Sequence, residues 1–298
     1  MMHEDQIPLT DEDAAALVIH RFPAYRGLSI RRLATSGTVN AIYRVGETVT
    51  ARFPLRPAAA PGDETTLRRE AQAMVEFRSA SPFPGPEPLG IGGPSVFYPS
   101  TWSLQSWLPG QCPSPRSHES SSPFADDLGA LITALRAHPR RGRSFTGTGR
   151  GGTLLDHDDW MQECLHRSEG LLDVPRLRVL WDRFRAAPRG GVDVMSHRDL
   201  IPGNLLVDGE RLSGVLDTGD FGPADPALDL VAAWHLLDGP RRRRLREHLE
   251  TEQDEWERGA AWAFQQAMGL VWYYRVTNPT MSALGRSTLD RLLEGAGL

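Results

Sequence analysis

The amino-acid sequence predicts an α+β chain of two lobes, an N-terminal part built on an antiparallel sheet and a mainly helical C-terminal part. Three observations carry this. The chain has 298 residues, more than one small core needs and enough for two. Short strand-like runs bounded by turn residues crowd into positions 1–106, whereas helical periods dominate after 111. One further strand pair, Leu205–Val207 and Leu212–Leu216, flanks Asp208-Gly209, a dipeptide suited to closing a hairpin.

Taken in order, Thr10 and Asp13 form a capping-box pattern that opens a helix to about His20. Strands follow at Leu28–Leu33, Asn40–Val45 and Thr48–Phe53, with Gly46-Glu47 as the second turn. The first turn carries Ser36-Gly37-Thr38, small residues that let backbone N–H groups approach phosphate oxygens. A helix spans Glu64 to Arg78. The Pro- and Gly-rich stretch 82–99 reads as loops between short edge strands, and Trp102–Ser106 as the last strand of the sheet. Trp107-Leu108-Pro109-Gly110 then stops the strand and marks a hinge.

Beyond the hinge, Pro123 sits in the first turn of a helix through about Ala137. An Arg- and Gly-rich loop covers Arg140–Gly152. Its Gly147–Gly152 segment lacks the preceding strand and following Lys of a phosphate loop. Helices follow at Leu154–Leu171 and Arg176–Ala187. After the hairpin, Asp225 is expected as the N-cap of a helix through Leu237, with Pro226 at its first position. Apolar helices at Asp254–Tyr274 and Ser282–Leu293 close the chain.

Bulk properties narrow the function classes. Apolar residues make up 40% and charged residues 24%, the mix of an ordinary globular enzyme. No apolar run reaches membrane-spanning length, and the acidic, polar opening does not read as a signal peptide. Two cysteines, Cys112 and Cys164, cannot make a disulfide framework, so a cytoplasmic location with reduced thiols is expected. The net charge of −5 argues against a nucleic-acid surface. All 33 basic residues are arginine, so any active-site lysine must be replaced by arginine.

The chemistry concentrates at 197–220. Asp199 and Asn204 precede the first hairpin strand and Asp217 follows the second, so the hairpin should draw the three together. Two carboxylates and an amide form an oxygen-rich set suited to Mg²⁺. His197-Arg198-Asp199-Leu200 with Asn204 matches the kinase catalytic-loop pattern, in which the Asp takes the substrate hydroxyl proton and the Asn holds metal. Asp217-Thr218-Gly219 stands in place of the metal-binding Asp-Phe-Gly. Arg52 on the third strand and Glu70 on the following helix fit the cation–carboxylate pair that organises the α- and β-phosphates. An adenine ring would find backbone hydrogen bonds at Ser106, Trp107 and Leu108. Asp229 is expected to brace the catalytic loop.

With these residues in view, the chain resembles the aminoglycoside phosphotransferase family, small-molecule relatives of the protein kinases. The resemblance rests on Ser36–Asn40, Thr50–Pro54, Trp107–Gly110, His197–Asn204, Gly214–Asp220 and Ala224–Leu230, and covers nearly the whole chain. Gly259–Ala263 and Tyr273–Pro279 are similar to a bacterial, actinobacterial-type branch. The family usually has Gly where this chain has Arg198. The resemblance implies a bilobal protein-kinase-like fold: a nucleotide-binding lobe at 1–106, a hinge at 107–110, and a catalytic and substrate-binding lobe at 111–298. It also implies ATP or GTP as cosubstrate with Mg²⁺, catalytic Asp199, metal ligands Asn204 and Asp217, and support from His197 and Asp220. The acceptor would be a small hydroxylated antibiotic. Asp156, Asp159 and Glu163, with Trp272 as a cleft floor, lean towards a cationic one. A metabolic kinase of a small alcohol or sugar, or a nucleotide-binding pseudokinase, are the alternatives. No nucleic acid or membrane partner is expected, and the assembly would be a monomer or dimer.

Overall fold

The computed structural model describes residues 6–33, 39–56, 63–147 and 149–296. They divide into two compact units, Met1–Ser79 with Pro84–Pro109 and Asp217–Asp220, and Ala80–Phe83 with Gly110–Leu216 and Phe221–Leu298.

In the first unit, α1 (Asp11–Arg21) starts at the expected capping box, with Thr10 and Asp13 each bonding the other's backbone N–H. Strands β1 (Ile30–Arg32), β2 (Asn40–Val45), β3 (Val49–Pro54), β4 (Pro88–Gly92) and β5 (Trp102–Ser106) form one antiparallel sheet, ordered β1-β2-β3-β5-β4. Helix α2 (Asp63–Ala80) joins β3 to β4. Alternation on β2 sends Ala41, Tyr43 and Val45 inward. The core also holds Ala51, Phe53, Trp102 and Leu104, with Phe53 stacked on Trp102 at 4.8 Å. Ala14, Leu17 and Val18 of α1 join this core.

In the second unit, α3 (Ser122–Ala137) has Ser121 as its N-cap and Pro123 in the first turn. The period expected over 154–171 divides into a 3₁₀ turn, Leu154–His157, and α4 (Asp158–Arg167). Helix α5 (Val174–Arg185) follows, then β6 (Val194–Ser196), β7 (Leu205–Asp208), β8 (Arg211–Val215) and β9 (Gly222–Ala224). The hairpin β7–β8 forms as expected, with Gly209 at φ 56 supplying the left-handed turn position. Pairing of β6 with β9 is a strand pair that the sequence did not announce. Helices α6 (Val231–Leu236), α7 (Gly239–His248), α8 (Gln253–Tyr273) and α9 (Pro279–Ala296) complete the unit. Helix α8 is its axis, buried without interruption from Arg258 to Met268.

One expected helix start is corrected. Asp225 does not cap a continuous helix to Leu237. Its carboxylate accepts from Ala227 N (2.9 Å) and from Arg258 of α8 (3.1 Å to Nε). The chain passes through a 3₁₀ turn at Leu228–Leu230 before α6 begins. The carboxylate caps Ala227 N, two residues on, and is held at the same time by a buried guanidinium.

Candidate active site

Strand β6 leads into residues 197–204, and β7 leads out of them. Asp229, 1% exposed, holds the entry to this loop from inside. Its Oδ1 accepts from Ser196 Oγ (2.8 Å) and Arg198 N (2.9 Å), and its Oδ2 from His197 N (3.0 Å). Arg198 takes a left-handed conformation, φ 73, which disfavours a side chain. Its guanidinium is anchored nonetheless, donating to Pro223 O at 2.7 Å and lying 5.6 Å from the Phe145 ring.

The same loop brings Asp199 and Asn204 together. Asn204 Nδ2 donates to Asp199 O (2.9 Å) and Asp199 Oδ2 (3.0 Å), which commits the amide nitrogen and leaves Oδ1 as the acceptor. Asp199 Oδ1 accepts from Arg150 Nη1 at 2.7 Å. The hairpin exit is tied to the loop as well. Leu216 N donates to Asn204 O at 2.7 Å, and the buried His197 ring bonds Leu216 O through Nε2 at 2.8 Å. Asp199 N lies 3.3 Å from His197 Nδ1, so Nδ1 accepts there and Nε2 carries the proton. Asp217 is the next residue in the chain.

In the first unit, Asp217 is half-exposed in a left-handed conformation, φ 54, and its Oδ1 accepts from Arg52 Nη2 at 2.8 Å. Arg52 Nη1 also reaches Gln105 at 3.5 Å. Arg52, read together with Glu70 in the sequence, bonds the Asp217 carboxylate. Glu70 stands against the turn after Asp217, where a Cβ on Gly219 would meet Glu70 Cβ at 3.1 Å. Asp220 ends that turn, exposed. In the stretch expected to meet a base, Ser106 N donates to Glu87 O and Trp107 N to Thr48 O, both at 2.8 Å. The Trp107 ring lies under the Arg44 guanidinium at 4.3 Å. Ser36, Gly37 and Thr38 lie outside the described residues.

The acidic residues offered for a cationic substrate are in part engaged by neighbouring arginines. Asp156 and Asp159 are exposed, Glu163 pairs with Arg167 at 2.7 Å, and Asp158 between them accepts from Trp181 Nε1 and Arg185. Glu255 and Glu257 are bound by Arg136 and Arg183. Trp272 packs against Trp160 at 6.0 Å. No group of three or more His, Cys, Asp or Glu residues forms a ready metal cluster among the described residues. The residue that sequence reasoning missed is Arg150. It sits in the Gly-rich loop, 49 positions from Asp199, and no local pattern links the two.

Comparison with known proteins bears on the fold and the family. A model of the phosphotransferase enzyme family matches residues 29–262. The fold matches the GDP complex of wild-type aminoglycoside 2'-phosphotransferase-IIIa, with TM-score 0.70 and 16% identity over 97% of this chain and 100% of that one. It also matches the macrolide 2'-phosphotransferase of Brachybacterium faecium as apoenzyme, with TM-score 0.59 and 18% identity over 93% and 98%. A third match is the streptomycin–ATP ternary complex of APH(2")-IIa, with TM-score 0.59 and 14% identity over 97% and 98%. No curated protein sequence matches the chain. At such identities the structures speak for the kinase-like fold alone. The family match spans 29–262 and takes in the catalytic loop, the hairpin and the turn at Asp217, and on that ground the chain belongs to the phosphotransferase enzyme family.

Proposed function

We propose that this phosphotransferase moves the γ-phosphoryl group of ATP or GTP to a hydroxyl of a small molecule, an antibiotic in the first instance. The observation that carries the reading is the lock between Asp199 and Asn204 at the mouth of the β7–β8 hairpin. The relatives of like fold supply its class. Two are aminoglycoside and macrolide phosphotransferases by name, one in complex with GDP, and a third is held with ATP and streptomycin.

Asp199 is the group that orients the acceptor hydroxyl and takes its proton as the new O–P bond forms. An ionised carboxylate offers about four lone-pair sites. Asp199 therefore accepts from Asn204, from Arg150 and from a substrate hydroxyl together. Asp229 and His197 hold the loop so that this carboxylate does not swing between rotamers. In the nucleotide-binding role, Arg52 fixes the orientation of Asp217 through one N–H and has others for phosphate oxygens.

The donor set fits magnesium. Asn204 Oδ1 and the Asp217 carboxylate are hard oxygens, and the Asn204 amide is already turned by its two bonds to Asp199. Magnesium held by these two side chains would offset charge on the β- and γ-phosphates. The left-handed φ of Asp217 is backbone strain of the kind held at functional positions.

The test is a phosphate-transfer screen of the purified chain with both nucleotides, with and without Mg²⁺, over aminoglycosides, macrolides, nucleoside antibiotics and simple sugars. Transfer to one antibiotic class, with raised resistance on expression in a sensitive host, is the expected result. Transfer to sugars or small alcohols alone makes the chain a metabolic kinase. Nucleotide binding without transfer to any acceptor makes it a pseudokinase.

A further inference from the structure

The Gly-rich stretch before α4 seats one cation on the Asp199 carboxylate. Phe145 anchors the stretch. Its N donates to Asp193 Oδ2 at 2.8 Å, and its ring meets the guanidinium groups of Arg189 at 5.9 Å and Arg198 at 5.6 Å. The backbone then closes on that ring, where a Cβ on Gly152 would stand 3.1 Å from Phe145 Cε1. Gly151, at φ 98, lies against Ala224 and Leu228, where a Cβ would meet carbon atoms at 3.1 and 3.2 Å. Gly152 N bonds Gly149 O at 3.2 Å, and Arg150 projects from the turn so made.

Arg150 Nη1 donates to Asp199 Oδ1 at 2.7 Å. That bond uses one of five guanidinium N–H donors, and among the described residues Asp199 is the acceptor on this side chain. The side chain is 40% exposed, which leaves its other donors open to a ligand beside the carboxylate. The catalytic loop has no cation of its own to offer there. Leu200, Ile201, Pro202 and Gly203 separate Asp199 from Asn204, and the Arg198 guanidinium is turned to Pro223 O at 2.7 Å. Orientation of the carboxylate does not depend on Arg150 alone, because Asn204 Nδ2 bonds its other oxygen at 3.0 Å.

Phosphoryl transfer at Asp199 brings two anions together. The acceptor oxygen bonds the γ-phosphorus as the bond to the nucleoside diphosphate breaks, and the hydroxyl proton passes to the carboxylate. The phosphoryl oxygens are negative throughout, and Asp199 is negative until that proton arrives, so the two repel. A guanidinium held on one carboxylate oxygen offsets the repulsion, and its planar fork matches two oxygens of a phosphoryl group.

We propose that Arg150 is a second catalytic residue, which keeps Nη1 on Asp199 and donates its remaining N–H groups to the oxygens of the transferring phosphoryl group. It stays protonated throughout. Its bonds to those oxygens tighten as the phosphoryl moves towards the acceptor, so its effect falls on kcat and not on KM. The inference rests on Asp199 being the catalytic carboxylate.

The experiment compares wild type, Arg150→Ala and Arg150→Lys as full-length chains with Mg²⁺ and nucleotide. The acceptor is whichever aminoglycoside, macrolide, nucleoside antibiotic or simple sugar wild type phosphorylates fastest. Arg150→Ala should lose kcat about a hundredfold or more, with KM for both substrates within about threefold. Arg150→Lys, which keeps the charge without the fork, should fall between the two. Millimolar guanidinium chloride should restore part of the lost kcat in Arg150→Ala, and sodium chloride at equal ionic strength should not. Denaturation midpoints should coincide, since the pair is partly exposed to solvent. An unchanged or higher kcat in Arg150→Ala overturns the inference and leaves transfer standing, the higher value marking a latch on Asp199. A raised acceptor KM at unchanged kcat overturns it too, by placing the guanidinium on the acceptor. A loss of kcat that guanidinium does not restore overturns the phosphoryl contact and leaves Arg150 a structural tie. Nucleotide binding by wild type with no transfer to any of these acceptors overturns the transfer reading and this inference with it.

Discussion

At the scale of single residues, Arg52 and Asp229 show how much one contact decides. Arg52 stands where the chain, having no lysine, must place another cation, and it grips Asp217 at 2.8 Å. A lysine there would offer one compact charge in place of a planar fork. Arg52→Lys should keep the fold and raise the nucleotide KM about three- to tenfold, measured by steady-state kinetics at fixed acceptor. An unchanged KM would mean that the fork is not used on phosphate. Asp229 takes two backbone N–H groups and one hydroxyl into a buried carboxylate. Asp229→Ala takes this acceptor from all three, leaving Arg198 N with only Ser196 Oγ at 3.0 Å, and should cost about 2–4 kcal/mol in denaturant unfolding, with transfer reduced through loss of loop order. Of these roles, the brace by Asp229 was legible, because the catalytic loop gave the position a context. The contact of Arg52 with Asp217 was not, because it joins positions 165 apart.

At the scale of elements, the chain announces what local chemistry determines and hides what distant partners determine. The capping box at Thr10 and the Asp-Gly hairpin are local, and both formed where expected. The β6–β9 pair joins three-residue segments, and Gly222-Pro223-Ala224 has almost no strand propensity of its own. It forms because the loop of 197–204 and the hairpin return the chain to the same place. The pairing of Asp225 with Arg258 went unread for a similar reason, since the two lie 33 residues apart. That pair is buried on both sides, 6% and 1% exposed. Arg258→Met should therefore lower stability by about 3–5 kcal/mol, seen as a fall in denaturation midpoint, because it strands the Asp225 carboxylate. A loss under about 1 kcal/mol would show that the carboxylate is otherwise satisfied.

At the scale of the whole molecule, the two-part α+β plan was readable from spacing, and so was the meeting of Asp199 with Asn204, whereas the contact of Arg150 with Asp199 was not. Arg150 reaches Asp199 from a segment 49 positions away. No helix among the described residues is long and apolar enough to cross a membrane. One global property follows from His235, buried and held down to about 4 against 6.5 unperturbed. Its folded pKa is depressed, so the unfolded chain binds the proton first as pH falls. Stability should be full above pH 6.5 and decline from there towards pH 4, by about 1–2 kcal/mol at pH 5. Unfolding of wild type and His235→Gln across that range checks it. The slope should be shallower in the variant, and an equal slope would assign the decline to other groups.

The most direct measurement of the central claim is single-turnover transfer from labelled nucleotide by Asp199→Asn, set beside its nucleotide affinity. The account predicts transfer lower by about a thousandfold or more, with nucleotide Kd within about threefold of wild type. Transfer that persists near the wild-type rate, or affinity that collapses along with it, would contradict the assignment of Asp199 as the group that receives the acceptor's proton.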